Sequence, residues 1–340
     1  MDRNDALLAD WRRRALALEA EVATAVVGQS RVIRLVNTAV FARGHVLLQG
    51  DVGVGKTTLL RAFAQVLGGN FARVEGTIDL MPNDLVYYTY ISAEGRPAVD
   101  AGPLIRHGED LAIFFFNEIN RARPQVHSLL LRVMAERSVS AFNREFRFPH
   151  LLVFADRNRV EREETFEISA AARDRFMFEV TIDAPQSAED RLALMFDQRY
   201  HDTDRLVGGL DGAMLAFTEL NAVSEAIQQG IRTSAALQKY ALGLWRATAA
   251  PGEFGVKLSN IDIDELLLAG ASPRGMSFLL RAARVSAWLE GRDHVTPEDL
   301  QALFFEAVAH RMCLQPVYEM RRQEIMPALV AGIVASVAAP

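Results

Sequence analysis

The run Gly50-Asp51-Val52-Gly53-Val54-Gly55-Lys56-Thr57, followed by Thr58, fits the pattern G-x-x-x-x-G-K-[ST] at every fixed position. Glycines let backbone N–H groups wrap a polyphosphate without Cβ clashes. A helix starting at the end of such a loop adds its partial positive charge. Lys56 has the reach for β- and γ-phosphates, and the Thr57 hydroxyl suits Mg²⁺. A Gly-rich turn that binds nothing would lack the right flanks. Here the apolar run His45–Gln49 leads in, and the helix-like run Thr58–Leu67 follows and stops at Gly68-Gly69. The residues predict a nucleoside triphosphate site, with ATP and Mg²⁺ as its ligands.

Hydrolysis needs a second, acidic centre at the end of a buried strand. Ile113-Phe-Phe-Phe-Asn117-Glu118 is the candidate. In the usual arrangement an Asp holds Mg²⁺ through water, and the Glu after it polarises the attacking water. Glu118 fits the second role. Asn117 stands where the Asp would be and brings hydrogen bonds without charge, which predicts slow hydrolysis. The expected metal set is Thr57, Asn117 and Glu118.

These groups need a sheet to position them. Five apolar runs are strand candidates: His45–Gln49, Phe71–Glu75, Ala112–Phe116, Leu151–Ala155 and Met177–Ile182. Several are continuous rather than alternating, as in parallel strands buried on both faces. Helical patterns between them predict an α/β sheet. Two inserts read as hairpins. Val86–Ile91 and Arg96–Val99 flank Ser92–Gly95, and Val139–Ala141 and Phe146–Phe148 flank Phe142–Glu145. After Asp183-Ala-Pro185 helical periodicity dominates, with a marked helix start at Thr296-Pro-Glu-Asp299. The expected domains are 1–184, α/β and nucleotide-binding, and 185–340, all-α.

Composition narrows the function. The chain has 340 residues, half of them hydrophobic, and a net charge of −6, so no overall basic field draws nucleic acid. One cysteine, Cys313, excludes an internal disulfide and argues against a Cys-based metal site; its apolar, helix-like surroundings predict a core position. The seven histidines form no H-x-x-x-H pattern, and His127 is expected on a helix surface. Arg12-Arg13-Arg14 reads as a solvated helix face. Met1–Glu21 has no continuous apolar stretch of the signal-peptide kind, and Met326–Pro340 is too short to span a bilayer. A cytoplasmic location is expected. Tyr87-Tyr88-Thr89-Tyr90 reads either as exposed anchors for a partner or as a hairpin face packed inward.

Taken together, the landmarks resemble the MoxR group of AAA+ ATPases. The similarity runs through Val27-Gly28-Gln29, Gly44-His-Val-Leu-Leu48, the phosphate loop, Glu118-Ile-Asn-Arg-Ala122, Ala172-Arg-Asp-Arg-Phe176 and Gly270-Ala-Ser-Pro-Arg274. The segment Phe115–Pro124 is most similar to MoxR proteins associated with methanol dehydrogenase. The resemblance implies an AAA+ parallel sheet with helices on both faces, hairpin inserts and a C-terminal helical lid. It places Asn158 where an amide orients the lytic water, although the neighbours Asp156, Arg157 and Arg159 depart from the family's Ala-Thr-Gln-Asn-Pro. It makes Arg175 the arginine finger acting in trans, with Arg173 as rival, and Arg274 the lid residue that senses phosphate. Gly28 and Gln29 would line the adenine pocket.

By the same resemblance the chain would form a homo-oligomeric ring, a hexamer, and remodel a client metalloenzyme or cofactor enzyme, with a von Willebrand A-domain protein as partner. Methanol dehydrogenase is the most specific client. Two other readings stay open. Asn117 motivates a nucleotide-gated scaffold with little turnover. The hairpin inserts motivate a DNA-acting motor, against which the acidic charge and the few basic residues near the tips (Arg96, Arg144 and Arg147) weigh.

Overall fold

The computed structural model describes residues 3–158 and 165–340, with side chains from Ala6 onward. By contacts the chain divides into two compact units. The first comprises Arg13–Arg175 and Val180–Asn221; the second comprises the described residues up to Arg12, Phe176–Glu179 and Ala222–Pro340.

In chain order the elements begin with α1 (Arg3–Ala25), α2 (Ser30–Phe41), β1 (His45–Gly50), α3 (Lys56–Leu67) and β2 (Asn70–Glu75). The hairpin β3 (Tyr87–Ile91) and β4 (Pro97–Ala101) precedes β5 (Leu111–Asn117) and α4 (Pro124–Glu136). The hairpin β6 (Ser138–Ala141) and β7 (Arg144–Arg147) precedes β8 (Leu152–Asn158), α5 (Ala170–Arg173) and β9 (Phe176–Thr181). The central sheet has the order β2-β5-β8-β1-β9, and β2/β5, β5/β8 and β1/β8 pair in parallel. All seven residues of β5 are buried, with Phe114, Phe115 and Phe116 among the largest side chains fully out of solvent. Each such ring contributes roughly 2–3 kcal/mol of burial, which is why a continuous aromatic run belongs in the middle of this sheet.

Each of the five apolar runs lies on a strand of this sheet. The largest difference is at β8, which continues three residues past the expected end at Ala155. Asp156, Arg157 and Asn158 keep pairing in register with Leu48, Gln49 and Gly50. A hydrophobic run cannot reveal polar residues held by ladder hydrogen bonds. Asn158 therefore closes a strand instead of standing on a loop.

His127 is not on a surface. It is buried on the inner face of α4, and its Nε2 lies 2.7 Å from the Ile119 carbonyl oxygen. Burial lowers its pKa, partly offset by that carbonyl. His127, Leu130 and Met134 repeat at helical spacing and share the buried face. The tyrosine run divides between packing and exposure. Tyr87 packs against Phe142 of the second hairpin, with ring centroids 5.3 Å apart, while Tyr88 and Tyr90 are exposed.

Helices α6 (Ala188–Phe196) and α7 (Thr203–Gly208) follow the sheet and pack with the first unit. Arg61 of α3 pairs with Asp204 at 2.7 Å, and the Gln65 and Val66 carbonyls of α3 accept from the Ala213 and Met214 N–H groups. The change of composition at Pro185 thus marks where the central sheet ends, while the compact division falls after Asn221.

The second unit is built from α8 (Leu220–Gly230), α9 (Ala235–Ala249), α10 (Pro273–Leu289), α11 (Pro297–Val308), α12 (Pro316–Glu319) and α13 (Arg322–Ser336). Thr296 caps α11 through a reciprocal pair with Asp299, as its sequence predicts. The expectation of an all-α unit needs one correction: β10 (Leu267–Ala269) and β11 (Cys313–Leu314) form a short antiparallel ribbon. Cys313 is therefore a half-buried strand residue, neither helical nor core. Strands of two and three residues leave no alternation to read. Arg13 and Arg14 are exposed, but Arg12 is half-buried and donates from Nε to the Leu289 carbonyl at 2.9 Å. No helix among the described residues is long and apolar enough to cross a membrane.

Candidate nucleotide site

The phosphate loop joins β1 to α3. Gly53 and Gly55 adopt left-handed backbone with φ of 81° and 90°, and a Cβ on either would meet nothing within 4 Å. Conformation, and not crowding, selects glycine here. Lys56 begins α3, so its ammonium turns back under the loop. Its Nζ donates to the carbonyls of Gly50 and Asp51, both at 2.9 Å, and to Asn158 Oδ1 at 2.7 Å. Asp51, Val52 and Val54 complete the loop, with Val52 exposed, and Thr58 follows Thr57 in the first turn of α3.

The ends of β5 and β8 bring the acidic centre to this lysine. Asn158 Nδ2 donates to Glu118 Oε1 at 3.1 Å, while Arg121 Nε holds Glu118 Oε2 at 3.1 Å. Glu118 itself has left-handed backbone, φ 51° and ψ 49°. A non-glycine residue there is strained and needs support from its neighbours. Asp156 gives it, accepting the Glu118 N–H at 2.6 Å. Asp156 is only 1 % exposed. Burial raises its pKa to about 6, against the lowering effects of the Glu118 N–H and the Lys56 charge.

Thr57 Oγ1 donates to Asn117 Oδ1 at 3.4 Å, a long contact for a hydroxyl. Asn117 Nδ2 donates in turn to Glu75 Oε1. The Thr57 hydroxyl and the Asn117 carboxamide oxygen are hard oxygen donors, which suit Mg²⁺. No group of three His, Cys, Asp or Glu side chains among the described residues could hold a metal by itself. That donor set fits an ion bound through one or two protein oxygens together with phosphate and water.

The remaining predicted residues stand farther out. Gly28 precedes α2, and Gln29 Nε2 donates to the Asp183 carbonyl at 2.6 Å, tying the start of α2 to the segment after β9. Arg173 ends α5 and Arg175 lies just before β9; Arg175 donates to the Ala171 carbonyl at 2.8 Å. Arg274 is exposed in the first turn of α10, behind Ser272, whose hydroxyl accepts the Gly275 N–H at 3.0 Å. Arg159 lies outside the described residues.

The structure thus brings together Lys56, Thr57, Asn117, Glu118 and Asn158. Sequence reasoning missed two members of this cluster, Asp156 and Glu75. Glu75 closes the strand candidate Phe71–Glu75, and a polar residue at the end of an apolar run was the one signal available.

Comparison with known proteins gives the family. Residues 45–178 match the model of the ATPase family associated with various cellular activities (AAA), and residues 261–329 match an AAA lid domain. The chain is 60 % identical over 336 residues to Protein MoxR of Methylorubrum extorquens, covering 99 % of this chain and 98 % of that protein. It is 52 % identical to Protein MoxR of Paracoccus denitrificans, covering 99 % of each. It is 32 % identical to Chaperone MoxR1 of Mycobacterium tuberculosis, over 94 % of this chain and 81 % of that one. A crystal structure of a candidate ATPase from Cytophaga hutchinsonii superposes with a TM-score of 0.84 at 26 % identity, over 98 % and 97 % of the two chains. With full-length relatives at this identity, a parallel α/β sheet carrying the phosphate loop and a matching lid domain, the chain belongs to the MoxR family of AAA+ ATPases.

Proposed function

We propose that this chain binds ATP with Mg²⁺ on the loop 50–58 and hydrolyses it at Glu118, driving a chaperone-like change in a client enzyme. The observation that carries the reading is the bridge of Asn158 between Lys56 and Glu118. One carboxamide sets the distance between the cation that meets the terminal phosphate and the carboxylate that prepares the water. Lys56 binds phosphate oxygens. Thr57 and Asn117 offer oxygens to the metal, with Glu118 close by. Asn158 orients Glu118, which takes the proton from the attacking water at one of its carboxylate oxygens. Mg²⁺, when bound, neutralises charge on the phosphate oxygens. Gly28 and Gln29 would hold the base.

Arg175 would complete a neighbouring subunit's site in a ring, with Arg173 as the alternative, and Arg274 would report nucleotide state from the lid. The division into a nucleotide-binding part and a lid, a hexameric ring, a von Willebrand A-domain partner and a cytoplasmic location belong to the same reading. The client is an enzyme that needs metal or cofactor insertion. Methanol dehydrogenase is the first to test, on the resemblance of Phe115–Pro124. A scaffold with little turnover is the second reading, favoured by Asn117.

The test is ATP turnover measured with and without Mg²⁺, together with capture of partners by a Glu118→Gln variant. Metal-dependent turnover abolished by Glu118→Gln supports hydrolysis. Tight ATP binding without turnover in the wild type favours the scaffold.

A further inference from the structure

Asn117 leaves the metal side of the site without the carboxylate that this position would supply. A carboxylate nevertheless stands beside it. In the parallel ladder of β2 and β5, Glu75 and Asn117 are direct partners, each the last residue of its strand. Beyond them the chains draw closer. Gly76 donates its N–H to the Asn117 carbonyl at 2.7 Å, and a Cβ on Gly76 would lie 2.1 Å from the Glu118 carbonyl oxygen. Only glycine permits this approach, so the turn after β2 is built against the Asn117–Glu118 peptide.

We infer that Glu75 supplies the negative charge that Asn117 lacks, and that it acts through Asn117 as a positioning residue for the metal. The inference rests on the proposed ATP and Mg²⁺ site. A carboxylate can only accept hydrogen bonds. Glu75 therefore holds the amide nitrogen of Asn117 toward itself and leaves Oδ1 facing Thr57. Oδ1 is the atom a hard cation prefers, and the nearby carboxylate polarises it. Acid and amide stand one strand apart from the usual arrangement, with the charge retained.

One other role for Glu75, and one other acid, have to be set apart. Arg73 Nη2 pairs with Glu75 Oε2 at 2.9 Å, but both side chains are open to solvent over nearly half their surface, and such pairs contribute little. Asp156 is the other acid nearby, and it is engaged by the Glu118 backbone N–H. If Glu75 served only Arg73, removing either partner would have the same result.

The experiment measures affinity for a fluorescent ATP analogue with and without Mg²⁺ in Glu75→Gln, Asn117→Asp, the double variant and Arg73→Ala. Mn²⁺ binding in the presence of ADP, read by electron paramagnetic resonance, gives a second measure of the metal alone. Glu75→Gln is expected to leave metal-free affinity unchanged and to weaken the metal on the order of tenfold. Asn117→Asp places a charge directly at the metal and is expected to leave its affinity at least as high as in wild type. In the double variant the new glutamine donates to the new aspartate, and metal affinity returns to within about twofold of wild type. Arg73→Ala leaves it unchanged.

Wild-type metal dependence in Glu75→Gln would overturn the inference. So would a double variant no better than the worse single variant, or a loss in Arg73→Ala equal to that in Glu75→Gln. Lys56→Ala, measured alongside, tests the site itself: analogue affinity equal to wild type in that variant defeats the ATP site, whatever Glu75 does.

Discussion

Asn158 and Glu118 share a hydrogen bond of 3.1 Å, donated by the Asn158 amide. The same side chain accepts from Lys56 at 2.7 Å, so its carboxamide has one possible orientation. An amide can accept from an ammonium and donate to a carboxylate at once, which an ionised carboxylate cannot.

Replacing Asn158 by Asp should therefore do more harm than its size suggests. The new group cannot donate to Glu118 and repels it. Turnover should fall on the order of 10²-fold, as when one positioned donor is removed from an active site. Nucleotide affinity should stay within a few-fold. Steady-state turnover alongside analogue titration reads both, and full turnover in Asn158→Asp would dismiss the bridge as the organising contact.

Lys56→Ala should abolish tight nucleotide binding, since no other cation of the loop faces the phosphates. The variant also leaves the Gly50 and Asp51 carbonyls and Asn158 Oδ1 without the Lys56 ammonium. A drop in melting temperature is expected too, about 1–3 kcal/mol in stability terms. Calorimetry without nucleotide separates this structural loss from the binding loss.

Arg175→Ala should leave affinity nearly intact and lower kcat. A finger stabilises charge that develops only in the transition state. Mixing Arg175→Ala with Glu118→Gln subunits should recover part of the activity, because some interfaces then pair an intact base with an intact finger. Mixed rings inactive at every ratio would argue against action in trans. Full turnover in Arg175→Ala would move the role to Arg173.

Asp156 makes stability depend on pH. Its folded pKa of about 6 lies above the ordinary value of 3.8, so the folded chain binds the proton more tightly than the unfolded chain. The neutral form's advantage is present below pH 4 and lost as pH rises through 6. The charged form then costs at most about 3 kcal/mol. Asp156→Asn keeps an acceptor for the Glu118 N–H and removes that cost. It should raise the melting temperature at pH 8 and do little at pH 4. An equal shift at both pH values would place the effect elsewhere.

The loop between β1 and α3 was legible because its residues are consecutive and its glycines set its own backbone. The end of β5 beside Glu118 was legible as a position, whereas the end of β8 was not, because the apolar run stops at Ala155 and the strand continues to Asn158. Their contacts were not, because Glu118 and Asn158 meet only after β5 and β8 pair. Glu75 and Asp156 share that difficulty: an acid at a strand end looks like surface charge until its neighbour is known. His127 was misjudged because one polar residue was weighed without its helix. Cys313 was misjudged because a two-residue strand has no period.

The contact between Tyr87 and Phe142 has a mechanical consequence. It clasps two hairpins that leave the sheet at different points, so a load applied at Tyr88 or Tyr90 is borne by both. The second hairpin returns into β8 with no helix between, and Asn158 is the last residue of that strand. A partner that pulled on the exposed tyrosines would therefore be joined, through one ring contact and one continuous stretch of chain, to the residue that meets Lys56.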